Sequence, residues 1–480
     1  MSTFTRRQLL KGAFGAAGTA AVGILAACGA SSSDTASVAP TAASTTGNTG
    51  STAPTVVGGS TSAASSGKTV KLISVEHDSR PADNAAYQAV YKGFQAKNPD
   101  INIEFQIIPW EQARAKMLTL SQGDSLPNMG RMNYASDYAA ANMVVPLEDM
   151  VDKTMLTRFD QTILDSASAI GSDGKTHLYG LPWFAGSAAI LVNKTLLDKA
   201  GLQLKDSWTT DDFTEYAKAL TQQGKQWGIA MDVAGVGDPV DNLLLAAYAY
   251  GGKWVKGDPK STQPEPFIFN SPETIAGITW YTNLFKQGYV VPSAPSDTYK
   301  ERDANFQSGK AAIEWQGPWT IADIQSNFKQ SGYELASMPL PKGPAGNVDW
   351  YGGAACGIYV SSQKGKVVDQ ALKWVNYISS DEGEKLYCQA NGMIPASKTA
   401  QQDPYWAQNS LYKGYITSMA NAPVMKPNWA TGINGILDDI VPPLLQGVLT
   451  GKLTEKEMAQ QIQNATISGL QKNGINVPKN

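Results

Sequence analysis

Cysteine and histidine are scarce, with three of one and two of the other in 480 residues. No C-x-x-C, H-E-x-x-H or C-x-x-C-H spacing occurs, so zinc, haem and iron–sulfur chemistry lacks a ligand set, and neither metal nor cofactor is expected. Positive charge is not in excess either: 39 Lys and Arg face 42 Asp and Glu, a formal net charge of -3. A phosphate backbone needs a basic face, so nucleic acid is excluded as a partner. Beyond residue 27 there is no G-x-x-x-x-G-K or G-x-G-x-x-G, and no G-x-S-x-G elbow for an acyl-transfer serine. No internal repeat is visible, which removes solenoids and propellers. What remains is an ordinary globular composition, 42% hydrophobic, 9% aromatic and 17% charged, with length for about two to three domains.

The N-terminus reads as an address. Arg6, Arg7 and Lys11 precede an uncharged run of Gly, Ala, Val, Ile and Leu that reaches Leu25-Ala-Ala-Cys28. A positive head, a short apolar stretch and small residues before a cut site make residues 1–27 a signal peptide. The paired arginines resemble a twin-arginine export signal, and L-A-A-C resembles a bacterial lipobox that would leave Cys28 lipidated at the new N-terminus. Two acyl chains hold a protein stably at a membrane where one does so marginally. Residues 28–67 then form a flexible tether of Ser, Thr, Ala and Gly with Asp34 as its one charge. Loss of three positive charges with the signal leaves the remainder at -6.

From Lys68 onward the pattern is α/β. Alternation predicts strands over Thr69–Val75 and Ile101–Ile108, and Tyr87, Val90, Tyr91 and Phe94 share one face of an intervening helix. Strand, helix, strand in forty residues is a βαβ unit and predicts mostly parallel sheets. Further strands are expected near 187–193, 228–231, 311–315 and 356–360. Helices are expected from Thr209, from the Ser271-Pro272 start and around Val368–Val375. With no long linker, two lobes sharing the chain are predicted, with a cleft between them.

Ligands bind beyond the carboxyl ends of the strands in such sheets, so the residues after each strand are the candidates. They are Glu76 and Asp78; Trp110; Asn133 and Tyr134; Trp183; Asp241; Trp315 and Trp319; Trp350 and Tyr351; and Trp429. Flat aromatic faces beside Asp, Glu and Asn suit a neutral polyhydroxylated ligand, whose C–H face lies on an indole while its hydroxyls take polar partners. Trp208, Trp227, Trp254, Trp280 and Trp374, in helical contexts, are expected in the core. His77 and His177 are expected at the surface.

These residues sit within a chain that resembles the family-1, maltose-binding-like extracellular solute-binding proteins. The markers are F-Q-A-K-N-P-D-I-N-I-E-F at 94–105, S-Q-G-D-S-L-P-N at 121–128, N-M-V-V-P-L-E-D at 142–149, and Y-G-L-P-W at 179–183. Most specific is G-K-A-A-I followed by G-P-W within 306–319. The resemblance implies a two-lobed periplasmic-binding-protein fold, with 68–181 and 352–400 in lobe one and 182–345 and 401–480 in lobe two. Hinge crossings would lie near Leu181, Lys342–Tyr351 and Ala400. It implies a saccharide, mono- or oligomeric, delivered to the transmembrane subunits of an ABC permease by a monomer anchored through lipid outside the cytoplasmic membrane. Trp319 and Trp429 fall at sugar-stacking positions by the same resemblance.

The rival readings are a surface glycosidase or polysaccharide lyase, which needs two suitably spaced carboxylates, and an adhesin, which needs exposed repeats. Cys356 and Cys388 are the candidate disulfide. Export favours such a bridge, and passage through a route that carries already folded chains opposes it.

Overall fold

The computed structural model describes residues 69–480 apart from 78–79, 260, 348–351, 420–425, 428 and 480. The expected signal peptide, tether and Cys28 lie outside the described residues, as do Asp78, Trp350 and Tyr351.

Strand β1 (Val70–His77) is followed by the helix Pro81–Lys97 and then β2 (Ile101–Ile108). Proline at the first helical position fixes a helical φ where no N–H partner is needed. Tyr87, Val90, Tyr91 and Phe94 bury the predicted face. β1 and β2 pair in parallel from Val70↔Ile101 to His77↔Ile108, with β3 (Met129–Arg131) parallel on the other side of β1. A hairpin follows, β4 (Ser168–Ile170) and β5 (Thr176–Leu178), and then β6 (Gly180–Gly186).

The chain next enters a second sheet built from β7 (Ala189–Asn193), β8 (Trp227–Ala230), β9 (Ala311–Gln316) and β10 (Leu335–Met338). It returns through β11 (Gly352–Ile358) and β12 (Ile394–Pro395). The strand orders are β12-β6-β11-β3-β1-β2 and β10-β7-β9-β8. Each sheet has its own hydrophobic core, one around Val75, Phe105, Trp183 and Trp374, the other around Ile190, Phe213, Leu244 and Leu437.

The sheets are mixed, not mostly parallel. Only β1/β2, β1/β3 and β8/β9 run parallel; β6, β11 and β12 pair antiparallel, as do β7 with β9 and β10. The cause is the shared chain: β6 leaves lobe one where β11 comes back beside it, so the two must run in opposite directions. β6 stays in the first sheet to Gly186, which places the first crossing after that residue. The last crossing comes after the helix Pro404–Ala407, where Trp406 still donates its indole N–H to the Met393 carbonyl. The helix Ile321–Ser331 follows β9 yet buries Ile321, Ile324 and Phe328 in the first core.

Caps fall where the sequence placed them. Thr209 opens a helix with a capping box to Asp212, and the Ser271 hydroxyl accepts from the Thr274 N–H. Among the described residues no helix is long and apolar enough to cross a membrane.

Candidate functional site

A cleft of about 380 Å³ opens between the lobes and is lined from both sides, a size within the usual range for small-molecule sites. Lobe one supplies Arg80 after β1, Trp110 after β2, Arg131, Asn133 and Tyr134 at the end of β3, and Phe184 on β6. Lobe two supplies Gly237, Asp238 and Asp241 after β8, Tyr299, Trp319 after β9, and Asn434 and Asp438 on the helix Ile433–Leu449.

Aromatic rings form the floor in lobe one. Trp110 lies on Tyr134 with ring centres 5.9 Å apart and planes at 28°. The Arg131 guanidinium lies over both Trp110 (5.7 Å) and Phe184 (5.1 Å) and donates to the His77 carbonyl at 2.8 Å. Cation–π contacts of this kind help to hold a buried arginine in place.

Several bonds join the lobes. The Trp110 indole N–H donates to the Val236 carbonyl at 3.2 Å, and the Tyr134 hydroxyl donates to Asp438 Oδ2 at 3.2 Å. Arg80 sits 3.6 Å from Asp303 and over the Tyr299 ring at 4.8 Å. Burial pushes the Asp438 carboxyl up to about 6, against the pull of nearby Lys426 and the Gly237 N–H. Lys426 itself donates to Asp241 Oδ1 at 3.0 Å.

The cleft gathers Trp110, Asn133, Tyr134, Asp241 and Trp319 from the expected set. Four expected residues stand elsewhere. Glu76 is fully buried in lobe one, accepts from the Ser74 hydroxyl at 2.8 Å, and is raised by that burial to about 8. Trp183 is fully buried and stacks on Tyr387 at 4.5 Å. Successive strand residues face opposite ways, so its neighbour Phe184 takes the cleft instead. Trp315 packs against Phe213, Trp280 and Tyr281 in the second core. Trp429 is 2% exposed and meets Phe267 edge-on, leaving Pro427 and Ala430 at the cleft.

Two further expectations are corrected. His77 is buried, and its imidazole is lowered to about 3 by that burial and by Arg131, so it stays neutral. Cys356 and Cys388 are both free and buried: the Cys388 thiol faces the Trp183 carbonyl at 3.9 Å, while Cys356 sits beside Gly130 and Trp374.

Sequence reasoning passed over Arg131, Tyr299, Lys426 and Asp438. Arg131 ends a strand and could have been found by the rule that found Asn133. Asp438 lies within a helix that no strand of its own sheet precedes, and nothing local marks it.

The cleft carboxylates are engaged. Asp438 accepts from Tyr134 and Gly237, Asp241 from Lys426, Asp238 from Arg302 at 2.8 Å, Asp165 from Gln161 and Asp83 from Asn391.

Comparison with known proteins agrees with this arrangement. Residues 78–385 match the family model described as bacterial extracellular solute-binding protein. A binding protein of Brucella abortus is 24% identical over 372 residues, covering 76% of this chain and 85% of the relative. The maltotriose-binding protein of Pyrococcus abyssi is 25% identical over 394 residues, 78% of each chain. Among solved structures, the GacH receptor of Streptomyces glaucescens, studied unliganded and with acarbose, superposes with a TM-score of 0.72 at 24% identity, over 84% of this chain and 99% of its own. Maltose-bound MalE3 of T. maritima gives 0.71 at 19% identity, over 82% and 98%.

Proposed function

The chain belongs to the bacterial extracellular solute-binding proteins, and from that membership we propose that it is the receptor of an ABC importer that captures a saccharide by lobe closure and hands it to a membrane permease. Proteins of this family are receptors, not enzymes. The observation that carries the saccharide reading is the mixture in one cleft: aromatic rings of Tyr134, Tyr299 and Trp319 beside the amide and carboxylate groups of Asn133, Asn434 and Asp241. An anionic solute would meet more carboxylates than cations here, whereas a pyranose satisfies both kinds of surface.

Burying one indole face contributes about 2 kcal/mol, so two such faces with a few hydroxyl contacts support micromolar binding after association costs. Lobe closure follows ligand only insofar as the closed form binds it better, which requires groups from both lobes. Asn133 and Tyr134 on one side, Trp319 and Asp241 on the other, meet that requirement.

A thermal-shift screen with maltotriose, acarbose and arabino-oligosaccharides tests the reading. A cognate sugar at a thousandfold excess over its dissociation constant adds about 4 kcal/mol and raises Tm by several degrees. Release of shortened sugar would favour a glycosidase, and no response to any saccharide would count against the saccharide class.

The N-terminal features support export and anchoring through lipid on Cys28. Radiolabelled fatty acid should enter the wild-type chain and not Cys28→Ala, which should leave the membrane fraction. The receptor is taken as a monomer, which sedimentation at micromolar concentration tests.

A further inference from the structure

Trp110 was expected to be a platform for ligand, yet its surroundings are mostly protein. One neighbour is Tyr134, another the Arg131 guanidinium, a third the edge of His77, and its N–H is spent on Val236 of the other lobe. One helical turn on, Arg114 projects from the same helix, Trp110–Gln122, since residues four apart share a face. Arg114 is held by Asp137, which accepts from Nε and lies 3.0 Å from Nη2, and Asp439 of lobe two attracts it as well.

Each of these two side chains meets a glycine on lobe two. Gly237 has φ +79°, and a Cβ there would stand 3.1 Å from Trp110 Nε1. A Cβ on Gly435 would stand 2.1 Å from Arg114 Cζ, closer than two carbon atoms can approach. Gly435 stands in the first turn of the helix Ile433–Leu449 without the positive φ that calls for glycine. The Arg114 guanidinium fills the space a side chain there would take.

We infer that the helix Trp110–Gln122 is a latch between the lobes: Trp110 and Arg114 seat on Gly237 and Gly435, and this joint sets the stability of the closed form apart from any contact with ligand. Trp110 is thus a positioning residue for closure. The inference rests on the receptor reading for its meaning, because a latch of this kind adds the same increment to the affinity of every ligand that closes the lobes. Selectivity among ligands is left to Asn133, Trp319 and Asp241.

The test is small-angle scattering of the full chain with no solute added, beside binding of maltotriose and acarbose as probes. Gly435→Ala should raise the radius of gyration by blocking the seat, and Arg114→Ala should raise it by emptying the seat. Trp110→Phe, which keeps the ring and loses the N–H, should weaken both probes about three- to tenfold and leave their ratio unchanged. A wild-type radius in Gly435→Ala or in Arg114→Ala, or a changed ratio, would each overturn the latch. Should Gly435→Ala fail to fold by circular dichroism, Trp110→Phe carries the scattering test. If neither probe binds the wild type, the saccharide reading fails while scattering still decides the latch.

Discussion

Tyr134 of one lobe donates its hydroxyl to Asp438 of the other at 3.2 Å, while the second oxygen of that carboxylate accepts the Gly237 N–H at 3.0 Å. A single buried acid thereby joins a strand end, a loop and a helix. Tyr134→Phe removes the cross-lobe donor and leaves the acid with one partner. Affinity for the best saccharide of the thermal-shift panel should fall about three- to tenfold by calorimetry, with the fold intact.

The pH dependence of stability should carry the mark of Glu76. Its pKa is about 8 in the folded chain against an ordinary 4.5. Between those values the folded form binds more protons than the unfolded one, so stability falls as pH rises across that window. Glu76→Gln, which keeps the shape and the bond from Ser74, should flatten that decline in Tm measured from pH 4.5 to 8. A slope equal to wild type would remove Glu76 as its source.

Trp183 and Trp319 separate stability from binding. Trp183→Ala opens a cavity beside Tyr387 and should cost about 3–5 kcal/mol in denaturant titration. Trp319→Ala, at the cleft, should weaken sugar binding at least tenfold while changing stability far less.

Free, buried Cys356 and Cys388 predict that reductant leaves Tm unchanged. A thiol reagent should find both only after denaturation. A fall in Tm with reductant would mean a bridge forms.

Periodicity located the elements well. The Thr209 and Ser271 caps and β9 fall within a residue or two of where capping chemistry and alternation put them, and the stripe Tyr87, Val90, Tyr91 and Phe94 is the buried face of the helix Pro81–Lys97. Strand direction was not legible, because a βαβ start says nothing about strands that cross between lobes. Trp183 and Trp429 were misplaced for a similar reason. A loop or strand brings indoles near a cleft, but one residue of register decides which side chain enters it, and that register depends on partners hundreds of positions away. Asn133 and Tyr134 stand at the cleft because they follow directly on the end of the short strand β3.

Neither lobe is a continuous stretch of sequence, since the chain passes between them on β6, returns on β11 and leaves once more after residue 407. Recombination at a single point therefore cannot graft one half of such a receptor onto another without severing a core. Point replacement at strand ends, which leaves both cores whole, is the change of specificity such a connectivity tolerates best.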